Sequence, residues 1–195
     1  GKIFVKDFLK FHINLILNLP IINVKNIKKS EFKVVVDGIN SSGGIYLPYL
    51  LNKMGVDIVK INCNPNGDFS HNPEPLNKNL SQISKYVVEH KADIGLVVDP
   101  DVDRLSLICE DGSFFGEEYT LVAVADYVLS KKKGNTVSNL SSTMALKDLS
   151  LKHGVNHYSS AVGEVNVRKK MKEVNAVLGG EGNGGVILPE LHYGR

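Results

Sequence analysis

The sequence predicts an α/β protein made of two similar three-layer α/β domains with mixed, mostly parallel sheets. Two observations point there. Short apolar runs of strand character alternate with longer segments of helical period, the pattern of strands joined by crossover helices. The alternation also runs through the chain twice with the same punctuation: a strand leads into Ser41-Ser42 or Ser141-Ser142-Thr143, then a helix, then Gly55-Val56 or Gly154-Val155, then another strand.

In order, the opening stretch Ile3 to Leu19 carries apolar residues at helical spacing, interrupted by Lys6, Asp7, Lys10, His12 and Asn14, and predicts an amphipathic helix. Lys33 to Asp37 reads as a buried strand. Gly43 to Met54 reads as a helix closed by Gly55, and Asp57 to Cys63 as a second strand, giving a βαβ unit. A Pro/Asn/Gly-rich loop, Asn64 to Pro75, leads to a helix over Leu76 to Lys91 and a strand over Ala92 to Val98, with another apolar run at Leu105 to Cys109. Asp111-Gly112 supplies a turn near the junction. The second series is helix Glu117 to Lys132, strand Thr136 to Leu140, helix Met144 to His153, strand Asn156 to Ser160, helix Glu164 to Val174 and strand Ala176 to Gly180. Domains are expected at 1–111 and 112–195.

Composition narrows the function. The 195 residues are 43% hydrophobic and 23% charged with a net charge of +2, too near neutral to argue for nucleic acid or a membrane surface as partner. Lys131-Lys132-Lys133 reads as the solvated end of a helix. Cys63 and Cys109 lie in apolar runs, which suggests reduced thiols and a cytoplasmic setting rather than a disulfide framework. The charges within the opening stretch argue against a signal peptide or a membrane span. The chain begins at Gly1 without Met and stops at Arg195 just after an apolar run, so a fragment of a longer protein is expected.

The segment Asp99-Pro100-Asp101-Val102-Asp103-Arg104 gathers three carboxylates at a strand end. Mutual repulsion there is costly unless a hard divalent cation neutralises it, so Asp99, Asp101 and Asp103 are candidate ligands for Mg²⁺. An EF-hand loop fails, because Arg104 stands where that loop needs Gly and the flanks are strands. An aspartyl-phosphatase nucleophile at Asp99 with a helper at Asp101 would leave Asp103 without a role. Three ligands beside an arginine suit a metal-held phosphate better, and a solvated Asp-rich turn is the plain alternative.

The second segment is Gly179-Gly180-Glu181-Gly182-Asn183-Gly184-Gly185, between the apolar runs Ala176 to Leu178 and Val186 to Leu188. Its glycines expose backbone for close ligand approach, and Glu181 and Asn183 could grip vicinal hydroxyls; a ligand-free hairpin accounts for the glycines equally well. A dinucleotide fingerprint fails because no helix follows. Ser160-Ala161-Val162-Gly163-Glu164 joins strand to helix, where its amides could meet an anion or serve as a cap. Gly116 to Thr120 reads as a helix start with favourable acids. His71 and His192 have no partner visible in sequence.

Together these segments resemble the α-D-phosphohexomutase superfamily, in which four domains enclose one active site. Its Asp-x-Asp-x-Asp-Arg metal loop is matched by Asp99, Asp101, Asp103 and Arg104, and its Gly-Glu-x-Ser/Asn-Gly sugar loop by Gly180 to Gly184. Phe69 to Pro75 resembles a segment preceding the metal loop in the second domain, and Ser160 to Gly163 the Thr-Pro-Val-Gly segment of the third. The resemblance covers essentially the whole chain and implies domains II and III, the latter truncated at its end, with domains I and IV missing.

It further implies an isomerase that interconverts hexose 1-phosphate and 6-phosphate through a phosphoserine and a bisphosphate sugar intermediate, the fragment alone being inactive. Mg²⁺ would sit on Asp99, Asp101 and Asp103, Arg104 would be catalytic, and Glu181, Gly182, Asn183 and Gly163 would bind the substrate, a glucosamine, glucose or mannose phosphate. Ser70-His71-Asn72-Pro73 imitates half of the family's nucleophile loop but lies less than a domain before the metal loop, so Ser70 is not assigned. Gly185 stands where bacterial relatives carry a His proposed as general base, leaving His192 as a substitute. The Gly-Glu-Gly-Asn-Gly-Gly version is most similar to phosphoglucosamine mutases, the alternative being phosphoglucomutase/phosphomannomutase. A non-catalytic sugar-phosphate-binding module is the remaining alternative.

Overall fold

The computed structural model describes all of residues 1–195. Helices α1 (Leu9–Leu17) and α2 (Val24–Lys29) precede the first α/β unit: β1 (Lys33–Asp37), α3 (Gly43–Met54), β2 (Asp57–Ile61), α4 (Ser81–His90), β3 (Ile94–Val98) and β4 (Leu105–Cys109). The second unit is α5 (Glu117–Lys131), β5 (Thr136–Asn139), α6 (Ala145–Lys152), β6 (His157–Ser160), α7 (Glu164–Glu173), β7 (Leu178–Glu181) and β8 (Gly185–Ile187). The sheets are ordered β2-β1-β3-β4 and β6-β5-β7-β8, with only the last pair of each antiparallel. The same topology is therefore built twice, as the repeated punctuation predicted.

β1 shows why both faces are covered. Val34 and Val36 pack with Met54 and Val56, whereas Val35 packs with Ile83 and Val87. Successive strand residues point to opposite faces, so a strand buried on both must be apolar throughout. In the second unit Leu178 packs with Leu121, Ala125 and Leu146, and Val137 with Val167 and Met171 on the other face. No helix is long and apolar enough to cross a membrane.

Several expected boundaries move for local reasons. The opening helix starts at Leu9 because the Asp7 carboxylate accepts the Leu9 N–H and terminates the turn there. α2 was not anticipated; six residues carry too little periodicity, although Asn23 caps it through the Asn26 N–H. β2 stops at Ile61 because Asn62 adopts a left-handed φ of 49°. The expected helix over Leu76 to Lys91 divides into a 3₁₀ turn, Asn77–Asn79, and α4. Both cysteines are free but only partly buried.

In a sheet ordered 2-1-3-4, successive crossovers diverge from β1, so a crevice opens beyond the carboxyl ends of β1 and β3. Asp37 ends β1 and Asp99 follows β3; in the second unit Asn139 ends β5 and Glu181 ends β7. These are the positions where an open α/β sheet can hold a ligand.

Two contacts fix the surroundings. Buried Asp37 accepts from the Ile39 amide and the Asn62 side chain and lies 3.1 Å from His71 Nε2, fastening the 64–75 loop to the sheet. Between the units, the Leu105 N–H donates to the Gly184 carbonyl at 3.1 Å. Gly184 has φ 93°, and a Cβ there would lie 2.6 Å from the Leu105 carbonyl oxygen.

The hydrogen bond to Asp37 raises the His71 pKa against the desolvation that lowers it. The protonated pair therefore stabilises the fold fully below pH 6.5, the ordinary His value, and this contribution is lost as pH rises through the raised folded value. The Tm difference between wild type and His71→Gln should be about 3–6 °C at pH 6 and shrink by pH 9; a difference independent of pH would contradict the ionic pair. Gly184→Ala should cost more than about 2 kcal/mol, from strain plus the steric contact, while Gly67→Ala should cost about 1 kcal/mol of strain alone. Gly67 also has positive φ but open space around it. Equal losses in denaturant titrations would refute the contact between units.

Candidate functional site

The acidic loop joins antiparallel β3 and β4. Carboxylates at alternating positions of an extended strand would share a face but spread over about 13 Å from first to third. Here Val102, with φ 60°, turns the chain left-handed, and the Asp99 carbonyl accepts the Val102 N–H. Ligand atoms of Asp99, Asp101 and Asp103 thereby come within 4.8 Å of one another. A β-branched residue in this conformation is costly, a local strain that the surrounding structure must hold.

The three acids differ in setting. Asp99 is fully buried; its Oδ1 accepts the amides of Asp103 and Arg104, and its Oδ2 lies 2.5 Å from Arg104 Nε. Asp101 is exposed. Burial, together with a hydrogen bond and repulsion from Asp99, pushes the Asp103 carboxyl up to about 6, with Arg195 opposing. Carboxylates crowded in this way, with hard oxygen donors converging on one point, fit a divalent cation. Burial alone would lower the Arg104 pKa, but its bonds to Glu74 and Asp99 outweigh this and hold it above its ordinary value.

The second unit presents the corresponding hairpin. Glu181 is the last residue of β7, and its Oε1 accepts from Asn139 Nδ2 at 2.6 Å and from the Gly163 amide at 3.0 Å. Asn139 in turn accepts from the Ser142 amide and hydroxyl, and the Ser142 hydroxyl accepts the Gly182 N–H. The amides of Gly163 and Gly182 are thus engaged within the protein, and the absence of a side chain at Gly182 makes room for Glu118. A Cβ there would fall 2.2 Å from Glu118 Oε2. Glu118, Asn139, Ser141, Glu181, Gly182 and Asn183 line a small polar cavity of about 120 Å³. Its carboxylates, amides and hydroxyl are the donors and acceptors that a polyhydroxy ligand needs.

The two hairpins face one another. Arg195 pairs with Asp103 at 2.5 Å and with Glu181 at 2.8 Å, spanning the acidic loop and the glycine loop. Arg195 thus ties Asp103 of the acidic loop to Glu181 of the glycine loop, with Arg104 joined to the first through Asp99 and Gly163 to the second through Glu181, whereas Asp101 lines a separate pocket with His12 and Tyr46. His192 lies against His12, ring centroids 5.8 Å apart, and its Nδ1 accepts the Gly194 amide. Asp37, Asn139 and Arg195 were not singled out, and Glu118 and Glu74 were named only within a helix start and a family-like segment, without a role of their own. Asp37 and Asn139 close the central strands of the repeat, a signal that could have found them; for Arg195, and for the partner of Glu74, only the folded contacts do.

Comparison with known proteins accords with this geometry. Residues 10–112 match the family described as phosphoglucomutase/phosphomannomutase, alpha/beta/alpha domain II, and residues 116–195 match domain III of the same family. A phosphoglucomutase/phosphomannomutase of Thermococcus kodakarensis is 36% identical over 100% of this chain and 43% of its own length. A Methanosarcina barkeri protein named probable phosphoglucosamine mutase is 34% identical over 95% of this chain and 41% of its own. The chain thus spans about two fifths of the length of these curated relatives. A Thermus thermophilus structure named for a putative phosphomannomutase superposes with TM-score 0.90 at 24% identity, covering 100% of this chain and 45% of that one. A phosphoglucomutase/phosphomannomutase family protein from Burkholderia thailandensis gives 0.82 at 24%, covering 96% and 40%. At such identity these two likenesses speak for the fold alone. Two family matches in sequence order, with relatives of about one-third identity along nearly all its length, show that the chain belongs to the phosphoglucomutase/phosphomannomutase family, of which it comprises domains II and III.

Proposed function

We propose that the chain supplies the metal-binding and sugar-binding half of a cytoplasmic phosphohexomutase, dividing at 111/112 into a unit for each task. The observation that carries this is the cleft in which a three-carboxylate loop with an adjacent arginine faces a glycine-rich loop bearing a buried glutamate. In this reading Asp99, Asp101 and Asp103 hold Mg²⁺, which when bound supplies positive charge against a transferring phosphoryl group.

The chain's own residues do the remaining work assigned to this half. Arg104, held rigidly by Asp99 and Glu74, presents a fixed cation to phosphate oxygens. Asn139 and the Gly163 amide fix Glu181 Oε1, so Glu181 meets sugar hydroxyls in a preset orientation. Asn183, in the following turn, adds an amide, and Gly182 lines the polar cavity that would take the sugar. Because these contacts address hydroxyls, either end of a bisphosphate sugar can be brought to the same phosphoryl-transfer point. The phosphoserine donor and the phosphate-binding loop come from domains I and IV of the complete protein.

Phosphoglucosamine mutase is the activity we favour, on the glycine-loop sequence and relatives carrying that name. Phosphoglucomutase/phosphomannomutase is the second reading, favoured by the relative that matches across the whole chain.

The full-length protein, with Mg²⁺ and a bisphosphate primer, should show a higher kcat/KM for glucosamine 1-phosphate than for glucose 1-phosphate or mannose 1-phosphate. Preference for the neutral sugars would select the second reading, and no turnover of any would favour a non-catalytic sugar-phosphate-binding module. Asp101→Asn, an exposed change that leaves the core intact, should weaken Mg²⁺ binding in calorimetry and lower kcat by about a hundredfold or more. Unchanged metal affinity and activity would remove the metal assignment.

A further inference from the structure

Glu74 is unusual for a half-exposed acid, because its backbone is fixed on every side. Pro73 and Pro75 flank it, and a residue before proline is confined to extended conformations. The Glu74 N–H donates to Asn72 Oδ1 at 3.0 Å, and its carbonyl accepts from Asn79 Nδ2 at 2.7 Å. The next carbonyl, of Pro75, accepts from the buried Ser106 hydroxyl at 2.9 Å. Three residues earlier, His71 is pinned to buried Asp37. The result is a carboxylate held out from a rigid loop, and its partner is Arg104, Oε2 to Nη1 at 2.6 Å and Oε1 to Nη2 at 3.5 Å.

An exposed ion pair contributes only about 0–1 kcal/mol to stability, so stability gives little reason for so much local order. The geometry at Arg104 gives a better one. Its Nε is bound to Asp99, and Asp103 lies 3.6 Å from the same nitrogen. Without a second anchor, Nη1 and Nη2 would be free to turn towards Asp103 and Asp101, where the guanidinium would compete for the carboxylates assigned to the metal. Glu74 draws the fork's other end away from them. We propose that Glu74 is a positioning residue for Arg104: it holds the guanidinium in one orientation beside the acidic loop so that the loop stays open to a cation and the arginine faces phosphate. This rests on the phosphohexomutase reading.

The test uses the full-length protein and the variants Glu74→Gln and Glu74→Asp. Glu74→Gln keeps the shape and loses the charge, whereas Glu74→Asp keeps the charge but withdraws it by one methylene on a backbone that cannot follow. Both should lower kcat about tenfold to a hundredfold with KM within about threefold, and both should leave Tm within about 2 °C of wild type. Crystal structures of the variants should show the Arg104 guanidinium rotated towards Asp103. Wild-type kcat in both variants, or an unmoved guanidinium, would overturn the proposal. Wild-type rates in Glu74→Asp alone would also overturn it, because charge rather than position would then suffice. If wild type has no mutase activity, the phosphohexomutase reading fails, and the crystal structures still decide whether Glu74 places Arg104.

Discussion

Repulsion among carboxylates is the constraint on which this structure depends. Asp99, Asp101 and Asp103 converge within 4.8 Å, and Glu181 is tied to the same cluster through Arg195. Unlike charges must be placed among them, and the protein does so sparingly. Arg104 serves Asp99 and Glu74, Arg195 serves Asp103 and Glu181, and neither pairs with exposed Asp101. Burial first, and then the hydrogen bond to and repulsion from Asp99, raise the Asp103 carboxyl to about 6 despite Arg195. Three carboxylates whose oxygens converge within 4.8 Å, one of them exposed and without a cationic partner, are an arrangement that a divalent cation would relieve.

Repetition of one topology explains how the cleft is assembled. Each unit places buried polar residues at or just past the carboxyl ends of its first and third strands, and each closes with an antiparallel hairpin. The same scaffold position is then filled differently. In the first unit the hairpin loop carries carboxylates and an arginine; in the second it is glycine-rich, which allows the Gly184 carbonyl to approach the Leu105 amide. The acidic loop and the glycine loop therefore occupy the same scaffold position and meet through Arg195. Both hairpins come from the same duplication of structure.

Much of this was legible in the sequence because it is written in local patterns. β1, α3 and β4 have the limits their apolar runs and the Gly55 stop imply, and the acidic and glycine-rich segments are contiguous. What escaped was carried by single polar contacts. Asp7 shortens the first helix with one hydrogen bond, and Asn62 ends β2 with one backbone angle. The grip of Glu74 on Arg104 joins residues 30 apart in sequence, and that of Asn139 on Glu181 residues 42 apart. Spacing within a segment cannot express such pairs, since they exist only once the strands are side by side. Val102 is a further case, because nothing in its identity announces the left-handed turn on which the convergence of the acids depends.

The most direct measurement is a crystal structure of the full-length protein with Mn²⁺ and a hexose phosphate, the metal located by its anomalous scattering. The expected result is a single strong peak among Asp99, Asp101 and Asp103, with the phosphate beside Arg104 and ring hydroxyls on Glu181 and Asn183. A peak elsewhere, or a sugar bound away from the glycine loop while the metal occupies the acidic one, would contradict the shared cleft.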